Sequence, residues 1–305
     1  DKNWPIERVA DVTGVKADLI VQITKLYAAS KPGTLVWAMG LTQHTIGTSN
    51  TRMAPILQLA LGNMGVAGGG TNILRGHDNV QGATDFGCLS DSLPGYYGLA
   101  EGSWKYFASS WGVDFDWLKG RFKDPSWMGK NGFTLARWWA GVLAGNEGED
   151  AIHNAGTNLK ALFVMGNGIT STAQTKKVKE ALDKLELAVF CDPFVNEGAI
   201  ITDKQNDVYI LPAATQFETA GSVTATNRSG QWRYEVVKPM YESKPDQEIM
   251  FELAKRLGFY EQLTAGMQKG KDFVWPEDAT NEIARIIKTI GLTGWRAERL
   301  KKHTD

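Results

Sequence analysis

The chain has 305 residues, of which 43% are hydrophobic and 22% charged, and its formal net charge is −1. This length suits one large or two ordinary domains with full hydrophobic cores. The small net charge argues against nucleic-acid or membrane-surface binding driven by bulk electrostatics. No apolar run approaches the roughly 18–20 residues of a membrane span. Because the first residue is Asp1 and no signal-peptide pattern precedes the fold, we expect a mature product or a piece of a longer protein.

The two cysteines, Cys88 and Cys191, lie far apart in the sequence and lack the Cys-x-x-Cys spacing of zinc and iron–sulfur sites. Each is expected to be a small buried apolar residue. The four histidines show no His-x-x-x-His pairing. The sequence therefore predicts no self-contained metal site.

The first 61 residues alternate between helix and strand signals. Apolar residues at helical spacing predict a helix over 16–28, followed by a short buried strand at 35–39. A loop is predicted over 40–50, and a second helix carries the apolar residues of 53–61. Helix, strand, glycine-containing loop and helix in this order are typical of an α/β layer fold.

Residues 82–150 have weak periodicity, apart from a short helix predicted near 135–143. Tryptophans are frequent here and stand among Gly, Asp, Lys and Ser. We interpret this segment as an excursion packed over the surface by its own aromatic side chains. Stacking of these tryptophans on a cofactor is the alternative.

The α/β signal returns with apolar strands at 161–165, 187–191 and 208–211. The run 161–165 is typical of a parallel strand buried on both faces. Amphipathic helices are predicted over 178–185, after Asp246 and over 283–290. The predicted fold class is α/β, with Rossmann-like layered domains, mostly parallel sheets and helices on both faces. The predicted division is a cofactor-binding α/β domain (1–80), the Trp-rich excursion (81–150), a second α/β dinucleotide-binding domain (151–270) and a helical connector (271–305).

Glycine and acidic residues follow the predicted strands, where ligands bind in open parallel sheets. The run Gly166-Asn167-Gly168 can turn backbone N–H groups toward a phosphate at a helix N-terminus, and Thr172 could add a hydroxyl or simply cap the helix. Asp192 could accept hydrogen bonds from a ribose or a base, or be structural. Asp246 could do the same, or cap the helix that follows it.

On this evidence the chain is a nucleotide- or dinucleotide-binding α/β protein, and a nicotinamide dehydrogenase is the default interpretation. The glycine pattern is incomplete, because 166–171 lacks the final glycine of G-x-G-x-x-G.

Residues 74–82 read Leu-Arg-Gly-His-Asp-Asn-Val-Gln-Gly and follow Gly68-Gly69-Gly70. Such a loop can bring its backbone close to a ligand while the Arg75 guanidinium binds a carboxylate or phosphate through two parallel hydrogen bonds. A turn with a solvated arginine is the alternative interpretation.

Several segments, in the same order along the chain, resemble the molybdenum and tungsten oxidoreductases of the dimethyl-sulfoxide-reductase type. Residues 39–47 (Met-Gly-Leu-Thr-Gln-His-Thr-Ile-Gly) resemble a pterin-contacting loop, and residues 61–70 with 74–82 resemble the catalytic-arginine loop of formate dehydrogenase large subunits. Residues 163–168 and 211–218 resemble guanine-dinucleotide loops. Residues 225–233 are similar to the segment that follows these loops, especially in membrane-associated, periplasm-facing formate dehydrogenases.

The resemblance implies one Mo or W held between two pterin guanine dinucleotides, the bis(molybdopterin guanine dinucleotide) cofactor, with a [4Fe–4S] cluster that takes the electrons. It implies that Arg75 orients the formate carboxylate and that His77 lines the same cavity. One dinucleotide would contact Gly40, Gln43 and Gly47. The other would be held by Gly166, Asn167, Gly168, Thr172, Asp192, Pro212 and Asp246.

The resemblance also implies partners and a location. Formate and carbon dioxide would be the substrates, and the rest of the catalytic subunit and an iron–sulfur electron-transfer subunit would be partners. A membrane cytochrome b subunit is a further candidate, nucleic acid is not expected, and the expected location is the periplasm.

The departures from the family pattern define the part of the enzyme that the chain resembles. The family's cluster cysteines, its metal-ligating cysteine or selenocysteine with an adjacent histidine, and its C-terminal closing domain are not in this sequence. Residues 196–198, Asn-Glu-Gly, stand where the family has a Glu-Thr-Ala-like run. We therefore expect the central part of a formate dehydrogenase catalytic subunit. The alternatives are another molybdopterin oxidoreductase such as a nitrate reductase, and a related non-catalytic α/β scaffold.

Overall fold

A computed structural model describes residues 2–143, 159–227, 229–270 and 273–303. The chain forms two compact units. The first unit contains Asp1–Gln81 and Thr224–Ser229, and the second contains Gly82–Val223 and Gly230–Asp305. The four-part division expected from the sequence stays a prediction.

The described residues form the following elements. The α-helices are α1 (Ile6–Thr13), α2 (Ala17–Ala29), α3 (Met39–Thr42), α4 (Gly47–Ala60), α5 (Val80–Asp85), α6 (Glu101–Trp111), α7 (Phe115–Lys119), α8 (Trp138–Leu143), α9 (Thr175–Lys184), α10 (Glu197–Ile201), α11 (Asp246–Leu257), α12 (Tyr260–Thr264), α13 (Pro276–Ile286) and α14 (Ala297–Lys302). The strands are β1 (Thr34–Trp37), β2 (Gly70–Ile73), β3 (Ala161–Met165), β4 (Leu187–Asp192), β5 (Val208–Pro212), β6 (Gly221–Thr224) and β7 (Gly230–Arg233).

In the first unit, β1 and β2 pair in parallel, from Thr34 opposite Gly70 to Trp37 opposite Ile73. The helix predicted over 16–28 is confirmed as α2. The predicted loop over 40–50 is wrong, because α3 and the start of α4 occupy most of it. Gly47 explains the tight connection: a Cβ at this buried position would overlap the carbonyl oxygen of Thr42.

A buried amide holds the first unit together. The Gln58 side chain on α4 is fully buried, and its Nε2 donates to the carbonyl oxygens of Gly33, at 2.7 Å, and Gly70. Its Oε1 accepts from the Tyr27 hydroxyl at 2.8 Å and from Asn63 Nδ2 at 2.9 Å. One side chain thus connects α2, α4, the residue just before β1 and the first residue of β2. Buried polar groups of this kind stabilise only when all their partners are present.

The second unit contains a parallel sheet in the order β3-β4-β5. Alternate residues of β4 face opposite sides, as the pleat requires. Ala188 and Phe190 pack with α8 and α9, whereas Val189 and Cys191 pack with α11. Helices on both faces of a parallel sheet confirm the predicted fold class.

Two expectations for this region are wrong. Phe163 and Met165 of β3 are 45% and 37% exposed, so this strand is not buried on both faces. Among the described strands it pairs with β4 alone, at one edge of the sheet. Cys191 is buried as expected, but Cys88 is exposed in the loop that follows α5.

The Trp-rich segment contains more regular structure than its sequence pattern indicates. Phe107 on α6 is fully buried, and its ring centroid lies 5.0 Å from that of Trp111 and 5.2 Å from that of Tyr97. Trp232 and Trp295, from later in the chain, belong to the same core. This segment therefore shares a core with the C-terminal helices, which corrects the interpretation of a surface excursion packed by its own aromatic residues alone. The helix predicted near 135–143 is confirmed as the shorter α8.

Candidate functional site

The loop that carries Arg75 follows β2, and the loop that carries Gly40 follows β1. The two strands are parallel, and the backbone N–H of Leu74 donates to the carbonyl oxygen of Trp37 at 2.8 Å. Both loops therefore leave the same carboxyl edge of the pair, where open α/β sheets bind ligands.

A buried side chain holds Arg75. The half-buried guanidinium donates from Nη1 to Oε1 of Gln81 at 3.3 Å, and Gln81 on α5 is only 7% exposed. His77 is exposed, and its carbonyl oxygen accepts from the N–H of Val80 at 3.3 Å. Gln81 was not predicted as a site residue, since its only signal in the sequence is its place six residues after the arginine.

Asn79 fixes the turn between Arg75 and α5. Its backbone has φ of +57°, a left-handed conformation that asparagine tolerates better than most residues. Its Oδ1 accepts from the N–H of Thr224 at 2.9 Å. The cation-bearing loop is thus anchored at both ends, by β2 and by this turn.

The predicted residues after β1 divide into two groups. Gly47 is explained by packing against Thr42. Gly40 faces open space, since a Cβ there would meet nothing within 4 Å, and the side chain of Gln43 is exposed. His44 Nε2 lies 2.8 Å from the Gly40 carbonyl oxygen. Gly40 and Gln43 are accessible to a ligand, whereas Gly47 shapes the loop.

In the second unit, a pocket of about 380 Å³ lies beyond the carboxyl ends of β3, β4 and β5. Its lining contains Gly166, Cys191, Pro193, Phe194, Ala213, Ala214, Thr215, Gln216, Phe217 and Asp246. We call this cavity the strand-end pocket. Two of the predicted cofactor residues, Gly166 and Asp246, therefore share one cavity.

Hydrogen bonds fix the rim of the strand-end pocket. Asn196 is 5% exposed, and its Nδ2 donates to the carbonyl oxygen of Asn167 at 2.8 Å and to Asp192 Oδ2 at 3.1 Å. Asp192 Oδ1 also accepts from the N–H of Phe194 at 3.1 Å. Asn196, which in the sequence is only a departure from the family pattern, thus joins two predicted site residues that lie 25 positions apart in the chain.

The two acidic residues have different surroundings. Desolvation raises the pKa of the Asp246 carboxyl, and the negative charge of Asp192 raises it further. Burial, followed by the charge of Asp246, raises the pKa of the Cys191 thiol. Asp246 is the first residue of α11 and Pro245 is its N-cap, so the structure does not support the alternative interpretation of Asp246 as the N-cap. Asp246 lines the strand-end pocket.

The glycine turn after β3 is open on one side. Gly166 has φ of +57°, a conformation that favours glycine, and a Cβ there would meet nothing within 4 Å. Asn167 Oδ1 is buried and has no hydrogen-bond partner among the residues that the structure describes. Gly168 precedes a short 3₁₀ turn, Ile169–Ser171.

Thr172 and Pro212 have structural partners. The Thr172 hydroxyl donates to the carbonyl oxygen of Ile169 at 2.9 Å and does not cap α9, whose N-cap is Gln174. Pro212 ends β5, and its carbonyl oxygen accepts from the N–H of Lys244 at 3.1 Å. Their predicted cofactor contacts stay predictions.

Within the described ranges, no group of three His, Cys, Asp or Glu side chains is placed to hold a metal ion. No helix among these residues is both long and apolar enough to cross a membrane.

A parallel α/β sheet with glycine turns and acids at its strand ends is an architecture that binds ligands beyond the carboxyl ends of its strands. The sequence model of the molybdopterin oxidoreductase family matches residues 12–256. The chain belongs to this family, a family of oxidoreductases.

Within it, the chain is similar to several formate dehydrogenases. It is 30% identical to the formate dehydrogenase subunit alpha of Megalodesulfovibrio gigas, over 97% of this chain and 33% of the relative. It is 31% identical to the F420-dependent formate dehydrogenase subunit alpha of Methanocaldococcus jannaschii, over 98% of this chain and 39% of the relative. For formate dehydrogenase H of Escherichia coli the identity is 32%, over 83% of this chain and 32% of the relative.

Among solved structures, acetylene hydratase from Pelobacter acetylenicus matches with a TM-score of 0.58 and 17% identity, over 99% of this chain and 39% of that chain. This likeness supports the fold alone. The chain spans about a third of the length of these relatives.

Proposed function

We propose that this chain is the central part of the catalytic subunit of a formate dehydrogenase, with Mo or W held by two pterin guanine dinucleotides. The observation that carries the proposal is the placement of Arg75: a half-buried guanidinium, held by buried Gln81, at a strand end beside the Gly40 loop. The similarity to formate dehydrogenase alpha subunits supports formate as the substrate.

The residues of the strand-end pocket fit one guanine dinucleotide. Guanine carries N–H donors on its pairing edge, and carboxylates accept such bonds strongly. Asp246, which lines the pocket, supplies such an acceptor. Asp192 and the unpartnered Asn167 Oδ1 lie at the ends of the adjoining strands, beside the lining residues Pro193 and Gly166. The open Gly166 turn leaves room for a pyrophosphate close to the backbone.

The loop after β1 fits a second polar group. Trp37 Nε1 and Thr42 Oγ1 are buried without hydrogen-bond partners in the described part of the chain. Orphaned polar atoms in a native protein call for an explanation, and a pterin dinucleotide against Gly40 and Gln43 would provide one.

In the proposed reaction, formate loses two electrons and a proton to become carbon dioxide. The metal–pterin centre, when bound, supplies the electron acceptor. Arg75 binds both carboxylate oxygens through its planar fork of donors and so fixes the direction of the C–H bond. Its charge is in place before the reaction, so no reorganisation is needed as the charge distribution changes. We assign His77, which is exposed on the same loop, to the surroundings of the bound formate.

The finer features follow the same proposal. A [4Fe–4S] cluster and an electron-transfer subunit would take the electrons, and the residues that bind the cluster would lie in parts of the protein outside this sequence. The periplasmic location and a cytochrome b partner stay predictions.

The test is an assay of the intact enzyme with formate as electron donor and, separately, with nitrate as electron acceptor. We expect formate oxidation with an artificial acceptor and no nitrate reduction. Nitrate reduction without formate oxidation would support the other molybdopterin oxidoreductases. Absence of both activities from a protein that contains its metal would support the non-catalytic scaffold.

A further inference from the structure

A second cavity, of about 500 Å³, lies in the second unit beside α13 and α14. It shares no lining residue with the strand-end pocket. Its charged lining residues are Asp278, Glu282, Arg285, Lys288, Arg296 and Glu298. We call it the α13 cavity.

A buried carboxyl without a partner lines this cavity. Glu282 is 8% exposed, and its Oε1 has no hydrogen-bond partner among the described residues. Burial raises the pKa of Glu282 to about 7, and the nearby charge of Arg285 only partly opposes this effect. Gly266 makes room for the carboxyl, since a Cβ there would lie 2.5 Å from Oε1. Such a group costs stability unless something donates to it or protonates it.

The cationic side chains of the α13 cavity form no ion pair with a described carboxylate. Arg285 Nη2 donates to two uncharged carbonyl oxygens, those of Ser110 at 3.0 Å and Gly266 at 2.9 Å. In the described part of the chain, no carboxylate oxygen lies within 4.0 Å of the charged nitrogens of Arg285, Lys288 and Arg296.

The other acids of the cavity are already engaged. Glu298 pairs with Lys302 at 2.6 Å. Asp278 accepts from the N–H groups of Trp275 at 2.9 Å and Gly270 at 3.2 Å. With Glu282 protonated, the α13 cavity therefore carries an excess of positive charge.

We propose that the α13 cavity binds a small oxyanion, with Arg285, Lys288 and Arg296 supplying the charge and the protonated Glu282 donating a hydrogen bond to it. A carboxylate at Glu282 would repel the same anion. When Glu282 starts as the carboxylate, anion binding therefore takes up a proton from solvent, and both the anion and the proton remain in the complex. The site does not depend on the proposed formate chemistry.

Sulfate is the probe, because its charge stays constant between about pH 6 and pH 9, so a pH-dependent affinity reports on the protein. Calorimetric titration of the intact protein in buffers of different ionisation enthalpy gives the affinity and the proton uptake together. We expect the affinity to fall about tenfold for each pH unit above about pH 7, with about one proton taken up per sulfate.

Variants assign the site. Glu282→Gln keeps a neutral donor, so it should bind sulfate with no proton uptake and no dependence on pH. The double variant Lys288→Gln/Arg296→Gln should weaken binding at least about tenfold, as expected for the loss of two charges. Lys184→Gln, which removes a lysine paired with Glu180 on the surface of α9, should bind as the parent does.

Two results would overturn the proposal. One is the absence of sulfate binding. The other is binding that Glu282→Gln and the double variant leave unchanged in affinity and proton uptake. If the site is confirmed, comparing inorganic phosphate with glycerol 3-phosphate separates a free anion from the phosphate group of a larger ligand.

Discussion

The two strand-end regions use the same architecture with opposite chemistry. After β1 and β2, the first unit presents a cation, Arg75, on a loop above a buried polar network centred on Gln58. After β3, β4 and β5, the second unit presents acids, Asp192 and Asp246, above an apolar core that includes Phe190. The parallel sheet decides where a ligand lies, and the residues at the strand ends decide which ligand it is. In the proposed function, a carboxylate substrate binds at the first region and the N–H groups of a base bind at the second.

The largest effect is expected from Arg75→Ala in the intact enzyme. Loss of a fixed charge at the reacting carboxylate should lower kcat/KM for formate about 100- to 1,000-fold. Added guanidinium ion should restore part of the turnover, which a purely structural defect would not allow. Arg256→Ala, which removes an arginine paired with Glu252 on α11, is the matched control and should keep its activity. Formate turnover within twofold of the parent would show that Arg75 is misassigned.

The polar network around Gln58 in the first unit should be sensitive to the loss of a single hydrogen-bonding side chain. Gln58→Leu leaves the groups that it now satisfies without partners, so it should lower the free energy of unfolding by about 3 kcal/mol. Gln22→Leu, at an exposed position of α2, should change it by less than about 0.5 kcal/mol. The measurement is denaturant unfolding of both variants. If the two variants unfold with the same free energy, the hydrogen bonds of Gln58 contribute nothing to stability beyond the packing of its side chain.

Gln81 tests whether Arg75 needs its support. Gln81→Ala removes the 3.3 Å contact but leaves the guanidinium in place, so we expect a loss of about tenfold in kcat/KM, mostly as a higher KM for formate. Cofactor content should be unchanged, which separates positioning from misfolding. Gln205→Ala, at an exposed position, provides the control. An unchanged KM would remove Gln81 from the site.

The smallest effect concerns the acids of the second unit. If Asp246 accepts from a guanine N–H, the carboxylate must be ionised, so retention of guanine nucleotide should decrease as the pH falls through its raised pKa. Asp246→Asn should lower retention severalfold at neutral pH and abolish this pH dependence. Asp203→Asn, which changes an exposed acid paired with Lys179, should behave as the parent does. Retention that is independent of pH in the parent would contradict the assignment.

The sequence was most informative where the signal is local. Glycine or proline follows the strands that end at Met165 and Asp192, and periodicity located helix α9 after the first of these turns. Helix α10, after the second turn, was not predicted. The roles of Gln58, Gln81 and Asn196 could not be predicted, because the sequence around a buried glutamine or asparagine does not differ from that around an exposed one. The partners of Gln58 and Asn196 lie as far as 31 and 29 residues away in the chain.

Other features that the sequence did not predict also depend on the surroundings of a residue in the fold. Helix α6 lies in a segment whose aromatic residues pack with Trp232 and Trp295, so its apolar pattern does not mark a single face. Glu282 occupies a buried position of an otherwise amphipathic helix, where an acid would ordinarily indicate the solvent side. Cys88 follows Gly87, which has φ of +92°, in an exposed loop, and a general preference of cysteine for burial carried no information there.

The most direct test of the account is chemical analysis of the purified intact protein for metal and for guanine nucleotide released by acid hydrolysis. The strand ends described above should hold a pterin guanine dinucleotide, so we predict that Mo or W and guanine nucleotide are recovered together, in a constant ratio across preparations. Protein that folds and is stable but contains neither would contradict the central claim.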